Sequence, residues 1–286
     1  MNNQGSVVET FRQLHESGCF VLPNPWDAGS AIYLAQAGFK ALATTSAGFA
    51  FSRGWPDGPE FVSREVMLDH FREIVAATPL PVNADFQNGY AAEPAGVAES
   101  VRLCVGTGVA GLSIEDSTGD RETPLYDFAL AVERIKAARA AIDSGSTGAA
   151  RANGSPRVLL TARCEAYLVG AENPLRTSLD RLVAFAEAGA DCLYAPGVAD
   201  TAEISEMVNV VAPKPVNVLV SSNNCDITVA QLADLGVRRI SVGGALARAA
   251  WAGFARAVSE IREQGSFKSF AGAMPYGELT DLFSNR

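Results

Sequence analysis

Short, almost uninterrupted apolar runs recur along this chain, and each is followed by a turn and a helical pattern. Eight such runs cover residues 19–23, 41–45, 81–85, 111–115, 158–163, 192–195, 216–220 and 239–242. They are rich in Val, Ile and Leu and lack the alternation of half-exposed strands, so they read as strands buried on both faces of a parallel sheet. Helical patterns fill the intervals, for example at 63–77, 94–105, 127–142, 178–188 and 245–263. About eight strands alternating with helices select an α/β fold of the closed (β/α)8 type, a TIM barrel, over an open doubly wound sheet. Gly38, Gly108, Gly189 and Gly236 each stand just before a strand, where a helix C-cap turning into the next strand needs a glycine.

A chain of 286 residues suits one such barrel domain. Hydrophobic residues make up 48% and charged residues 19%, which supports a large core rather than disorder. The net charge of -9 argues against general nucleic-acid binding but says little about a small anionic substrate, whose field is set locally. Five cysteines without a C-x-x-C pair point to buried thiols in a reducing compartment, and two histidines rule out a multi-histidine zinc site. Met1 to Gly5 lack signal-peptide character, and no apolar run is long enough to span a bilayer. A cytoplasmic protein is expected. Residues 144–156 form a low-complexity insert that reads as a surface loop. The tail, residues 265–286, carries Phe267, Phe270, Met274, Tyr276, Leu279, Leu282 and Phe283, enough apolar surface to dock on its own barrel or a neighbouring subunit.

In a parallel α/β fold the strand carboxyl ends converge on one crevice. Asp85 and Glu115 close two of the runs, and together they could hold one hard cation, Mg2+ or Mn2+ rather than zinc. Taken singly, each also reads as an ordinary strand-end acid. Ser46-Ala47-Gly48 could offer a hydroxyl and backbone N–H groups to a carboxylate or phosphate, or be a plain turn. Arg163 ends an apolar strand, so it needs a partner: a bound carboxylate, or a salt bridge to Glu115 or Glu165. Asn217 is placed at the same face, among the substrate-binding candidates.

Five pieces in order resemble the isocitrate lyase and phosphoenolpyruvate mutase superfamily. They are Thr45-Ser46-Ala47-Gly48, the Asp57 that follows, Asp85-Phe86-Gln87-Asn88-Gly89-Tyr90, Gly111-Leu112-Ser113-Ile114-Glu115-Asp116, and Ala162-Arg163-Cys164-Glu165-Ala166-Tyr167. The resemblance covers nearly the whole chain. It implies a Mg2+-dependent enzyme that stabilises an enolate as a C–C or C–P bond of an α-oxo or α-hydroxy carboxylate breaks. By position, Asp85 is the direct metal ligand, Glu115 acts through water, and Gln87 stands where relatives carry a second acid. Ser46, Ala47 and Gly48 bind the substrate carboxylate, Arg163 clamps substrate, and Asp57 lines the site. Asp57, Glu115 and Arg163 are thus the catalytic candidates. The resemblance also implies dimers or tetramers built by exchange of the last helix.

Departures from the family pattern narrow the reaction. Gln87 removes one negative charge from the metal shell. Residues 117–124, on the gating loop, contain no Cys, Lys or His, whereas isocitrate and methylisocitrate lyases carry a catalytic Cys there. Pro196 stands where lyases place Glu and mutases place His. The expectation is a lyase of small 2-oxo or 2-hydroxy carboxylates, with little isocitrate or methylisocitrate cleavage. C–P chemistry of the phosphonopyruvate hydrolase or phosphoenolpyruvate mutase type is the second reading. A non-catalytic barrel that kept its pocket is the third.

Overall fold

A computed structural model describes residues 3–145, 157–221 and 226–284. Most of the low-complexity insert, and Cys225, lie outside the described residues. Eight strands alternate with helices: β1 (Phe20–Leu22), β2 (Leu42–Ala43), β3 (Val82–Asp85), β4 (Gly111–Glu115), β5 (Leu159–Arg163), β6 (Cys192–Tyr194), β7 (Val216–Leu219) and β8 (Arg239–Ser241). All pair in parallel in the order β1-β8-β7-β6-β5-β4-β3-β2. The remaining seam, between β1 and β2, is bridged by Ala43 N donating to Pro23 O at 3.1 Å and Asn24 Nδ2 donating to Thr44 O at 2.8 Å. The result is a nearly closed (β/α)8 TIM barrel, as the run count implies.

The helices are α1 (Asn3–Leu14), α2 (Ala28–Gln36), α3 (Ser46–Ser52), α4 (Arg64–Ala77), α5 (Pro94–Val105), α6 (Phe128–Gly145), α7 (Pro174–Glu187), α8 (Thr201–Val211), α9 (Val229–Asp234), α10 (Ala245–Gln264) and α11 (Tyr276–Ser284). Local chemistry sets their starts. Ser63 caps α4 through Val66 N, Asp27 forms a capping box with Ser30 on α2, and Pro94 and Pro174 open α5 and α7. The pre-strand glycines are left-handed as expected, with φ of 90°, 94°, 102° and 86° at Gly38, Gly108, Gly189 and Gly236.

Helix α1 stoppers the amino-terminal end of the barrel. Phe11 is fully buried and meets His15 and Phe20 edge-on. A Cβ at Gly111 would come within 2.7 Å of the Phe11 ring, so β4 must begin with glycine for the stopper to seat. At the other end of the chain the packing is thin. Helix α10 buries only Ala247, and α11 lies against α2 of its own barrel, where Gln36 Nε2 donates to Leu282 O at 2.8 Å and Phe283 covers Gly29. In this single chain the last helix thus rests on its own barrel, one of the two places expected for the tail. Among the described residues no helix is long and apolar enough to cross a membrane.

Candidate active site

Asp85, Glu115 and Arg163 are the last residues of β3, β4 and β5, and all three reach the carboxyl-end mouth of the barrel. Arg163 sits at their centre. Its Nη1 is 2.7 Å from Asp85 Oδ1, its Nη2 is 3.1 Å from Glu115 Oε2, and its Nε is 2.9 Å from Glu165 Oε1. The Tyr194 ring lies 5.2 Å from the guanidinium carbon. Burial opposes the charge on Arg163, but Glu165, Glu115 and Asp85 outweigh it and hold the proton firmly. Glu115 moves the other way: burial pushes it well above the ordinary carboxylate range, with Arg163 opposing. The alternative partners foreseen for Arg163, Glu115 and Glu165, are both engaged, and Asp85 is a third.

Asp85 is further fixed on its far side, where Oδ2 accepts from Ser46 N at 3.0 Å and its own N–H reaches Thr44 Oγ1 at 2.9 Å. The expected Ser46-Ala47-Gly48 turn is the first turn of α3, capped by Thr45, whose Oγ1 accepts from Gly48 N at 3.2 Å. The Ser46 and Gly48 amides thus already serve the protein, and Ser46 and Ala47 still line the cavity. Asp57 enters from the loop after α3. Burial first and Asp85 second raise its pKa, while hydrogen bonds from Ser46 and Gln87 and the charge of Arg163 restrain the rise.

Gln87 occupies a left-handed backbone position, φ 47°, in the tight turn after β3. That turn aims Nε2 at Asp57 Oδ1, 3.5 Å away, and leaves Oε1 a buried acceptor without a partner. Asp116, next to Glu115, faces elsewhere: it accepts from Glu165 N at 2.8 Å and pairs with Arg181 at 3.0 Å, tying the β4 and β5 loops together. The loop at residues 117–124 folds on itself through Thr118 N to Pro124 O at 3.0 Å and Thr118 Oγ1 to Thr123 O at 2.6 Å.

Ser46, Asp57, Asp85 and Arg163 open onto one cavity of about 220 Å³, whose walls also include Asn217 and Arg239. Asn217 is not at the mouth. It is the second residue of β7, 1% exposed, with Nδ2 donating to Ser241 Oγ at 2.9 Å and Oδ1 accepting from Arg239 Nε at 2.8 Å. Asn217 lies inside the apolar run at 216–220 rather than at its carboxyl end, where it was expected. Arg239 was not singled out: it follows Arg238, and an adjacent arginine pair does not say which of the two faces inward.

The donors suit a hard divalent cation chemically. All are oxygens, the carboxylates outnumber the cations at the mouth, and Gln87 Oε1 lacks a partner. Among the described residues no three His, Cys, Asp or Glu side chains form a ready-made metal shell, because Arg163 stands between the acids.

The family model described as phosphoenolpyruvate phosphomutase matches residues 11–262. A Burkholderia cenocepacia J2315 structure provisionally assigned as a lyase/mutase is 47% identical, with a TM-score of 0.91 over 99% of this chain and 98% of that one. An uncharacterized Mycobacterium tuberculosis protein is 33% identical over 94% of each chain. The structure of oxaloacetate acetylhydrolase with its product oxalate is 26% identical, with a TM-score of 0.83 over 98% of this chain and 95% of the other. The family match spans most of the sequence and the barrel superposes over nearly all of it, so the chain belongs to the phosphoenolpyruvate phosphomutase family, within the isocitrate lyase/phosphoenolpyruvate mutase superfamily.

Proposed function

We propose that this protein is a Mg2+- or Mn2+-dependent lyase that breaks a C–C bond in a small 2-oxo or 2-hydroxy carboxylate. The observation that carries the reading is the convergence of Ser46, Asp57, Asp85 and Arg163 on one cavity, with Glu115 paired to Arg163. Superfamily members are lyases or mutases that generally use a divalent metal. Here Asp85 and Gln87, with Glu115 acting through water, would hold the cation. When bound, it supplies Lewis-acid stabilisation to a developing enolate.

The chain's own residues do the rest. Arg163, paired with Asp85 and Glu115, faces the cavity and would present its guanidinium to a substrate carboxylate once those acids were shared with a cation. Ser46 and Ala47 present the first turn of α3 to that carboxylate. Asp57 borders the cavity, and burial with the nearby Asp85 raises its carboxyl above the ordinary range, so the proton for the enolate carbon comes from Asp57 or from water in its region. Decarboxylation of a short oxo-diacid needs one electron sink and one such proton, and nothing from a Cys-bearing loop. The likeness to oxaloacetate acetylhydrolase supports small oxo-diacids. Assembly belongs to the same proposal: the bare face of α10 suits a second copy of this chain.

The test is a panel of 2-oxo and 2-hydroxy acids, with phosphonopyruvate included, each with and without Mg2+, followed by pyruvate or glyoxylate release. Turnover of short oxo acids that chelator abolishes is expected, with little on isocitrate or methylisocitrate. Full activity in chelator, or robust methylisocitrate cleavage, would defeat the reading.

A further inference from the structure

Barrels of this kind are usually filled by layers of branched apolar side chains. Here one row of the sheet ladder carries hydrogen-bonding groups obliquely down the inner wall. Glu115 pairs with Arg163, Arg163 with Tyr194, Tyr194 with Asn217, and Asn217 with Arg239. Ladder partners face the same side of a sheet, so the row runs from the mouth to the amino end of β8.

Arg239, at the foot of the row, is 2% exposed. Its Nε donates to Asn217 Oδ1 at 2.8 Å, its Nη2 donates to Thr161 Oγ1 at 3.0 Å, and its Nη1 lies 3.3 Å from His15 Nε2. All three acceptors are neutral. His15 Nδ1 faces Phe11 O at 2.7 Å, which leaves Nε2 as an acceptor, and burial followed by the Arg239 charge pushes the ring down to about 3. Burial likewise raises the neighbouring Cys192 thiol, so it supplies no negative charge either. Among the described residues no ion pair includes Arg239; the buried carboxylates pair with Arg163 and Arg181. A buried guanidinium stays charged, and a buried charge without a counter-ion is costly. Two of its five N–H groups remain after these bonds.

The cavity that begins at Arg163 and Ser46 reaches Arg239. Asn83 shares its wall, is 3% exposed, and has a buried Oδ1 without a partner. This is a polar hollow with an uncompensated cation at its floor. We infer that the floor is a subsite for a second carboxylate, held by Arg239, so that the ligand is a short dicarboxylate with one end at the mouth and the other inside the barrel. The identity of the mouth-bound end rests on the function proposed above; the floor subsite does not.

Dimensions agree. Thr161, which Arg239 contacts, is two residues before Arg163 on β5, about 6.6 Å at 3.3 Å per residue. That figure is the rise between the two strand residues, which puts the mouth and the floor on one wall of a single cavity. The 220 Å³ cavity also exceeds the roughly 150 Å³ that suffices for benzene in an engineered core.

The test compares L-malate with 2-hydroxybutyrate, which has a methyl group in place of the distal carboxylate. Calorimetric titration of the full chain, with and without Mg2+, should show malate binding about tenfold tighter or better. Asn217→Asp is nearly isosteric and gives Arg239 its own counter-ion, so it should bring the ratio to within about twofold. Arg239→Gln should do the same, with circular dichroism checking that each variant is folded. A crystal of the unaltered protein with malate reads the site without any variant: the distal carboxylate should lie within about 3.2 Å of an Arg239 nitrogen. An unaltered protein without malate preference, an unchanged ratio in folded Asn217→Asp protein, or a crystal with both carboxylates at the mouth each overturns the inference. Malate preference without turnover of any acid would sink the lyase proposal and leave the subsite standing.

Discussion

Arg163 balances three carboxylates with one charge, while Gln87 contributes none where the family pattern has an acid. The mouth therefore attracts a cation, but less strongly than a site with that acid restored. Gln87→Glu should tighten Mg2+ binding by about tenfold in calorimetry, since one added charge close to the ion outweighs solvent screening. Asp85→Ala should abolish binding, and Gln87→Ala should weaken it only modestly. Unchanged affinity in Gln87→Glu would place the cation elsewhere. At this scale the sequence was readable where chemistry met a strand end. Asp85, Glu115 and Arg163 each close an apolar run, and closing a parallel strand puts a side chain at the mouth. Asn217 and Arg239 were not readable in the same way. Inside a strand of three or four residues, alternation has too few repeats to tell the inward position from the outward one.

Elements came through with their ends nearly intact, because caps and glycines punctuate them. Residues 94–105 and 111–115 form α5 and β4 without adjustment, and Ser63 proves to be the cap of α4 rather than its first residue. Helix α7 begins four residues earlier than the pattern at 178–188, at Pro174, and α3 was not told from a turn. Seven residues, mostly apolar and small, carry too little periodicity to separate a helix from a turn. Its placement depends on tertiary contact at Gly48. A Cβ there would stand 2.6 Å from Thr45 Cγ2, 3.0 Å from Trp26 Cβ and 3.3 Å from Ala247 Cβ. Gly48→Ala must therefore push α3 away from Trp26, in the loop after β1, and from α10, costing about 1–3 kcal/mol by overpacking. Ser46 moves with it, so Asp85 loses the hydrogen bond that orients it. A lower melting temperature with a raised KM is the expected pair of effects. Wild-type values for both would mean that the neighbours yield freely and that α3 does not set the site.

The whole molecule leaves one surface unaccounted for. On α10 Trp251, Phe254, Val258 and Ile261 are exposed at three- and four-residue steps, which makes a single stripe along the helix. Phe267, Phe270, Met274, Tyr276 and Leu279 follow it, also exposed, while only Leu282 and Phe283 tuck toward α2. Isolated apolar residues on a surface are ordinary, but a continuous stripe on the helix that should close the last βα unit is not. An equivalent face on a second copy is the simplest cover, because a two-fold contact brings the same stripe to itself. The tail then has two places to lie, its own α2 or that of a neighbour. Light scattering of the full chain should therefore report a dimer or larger. Ending the chain at Gly265 should expose the stripe further and give aggregated or dissociated protein. Trp251→Glu with Phe254→Glu tests the stripe itself: both are exposed in the single chain, so the barrel should keep its circular dichroism spectrum and lose only its partners. A full-length monomer, or a double variant that assembles normally, would show that the stripe does not mediate self-association.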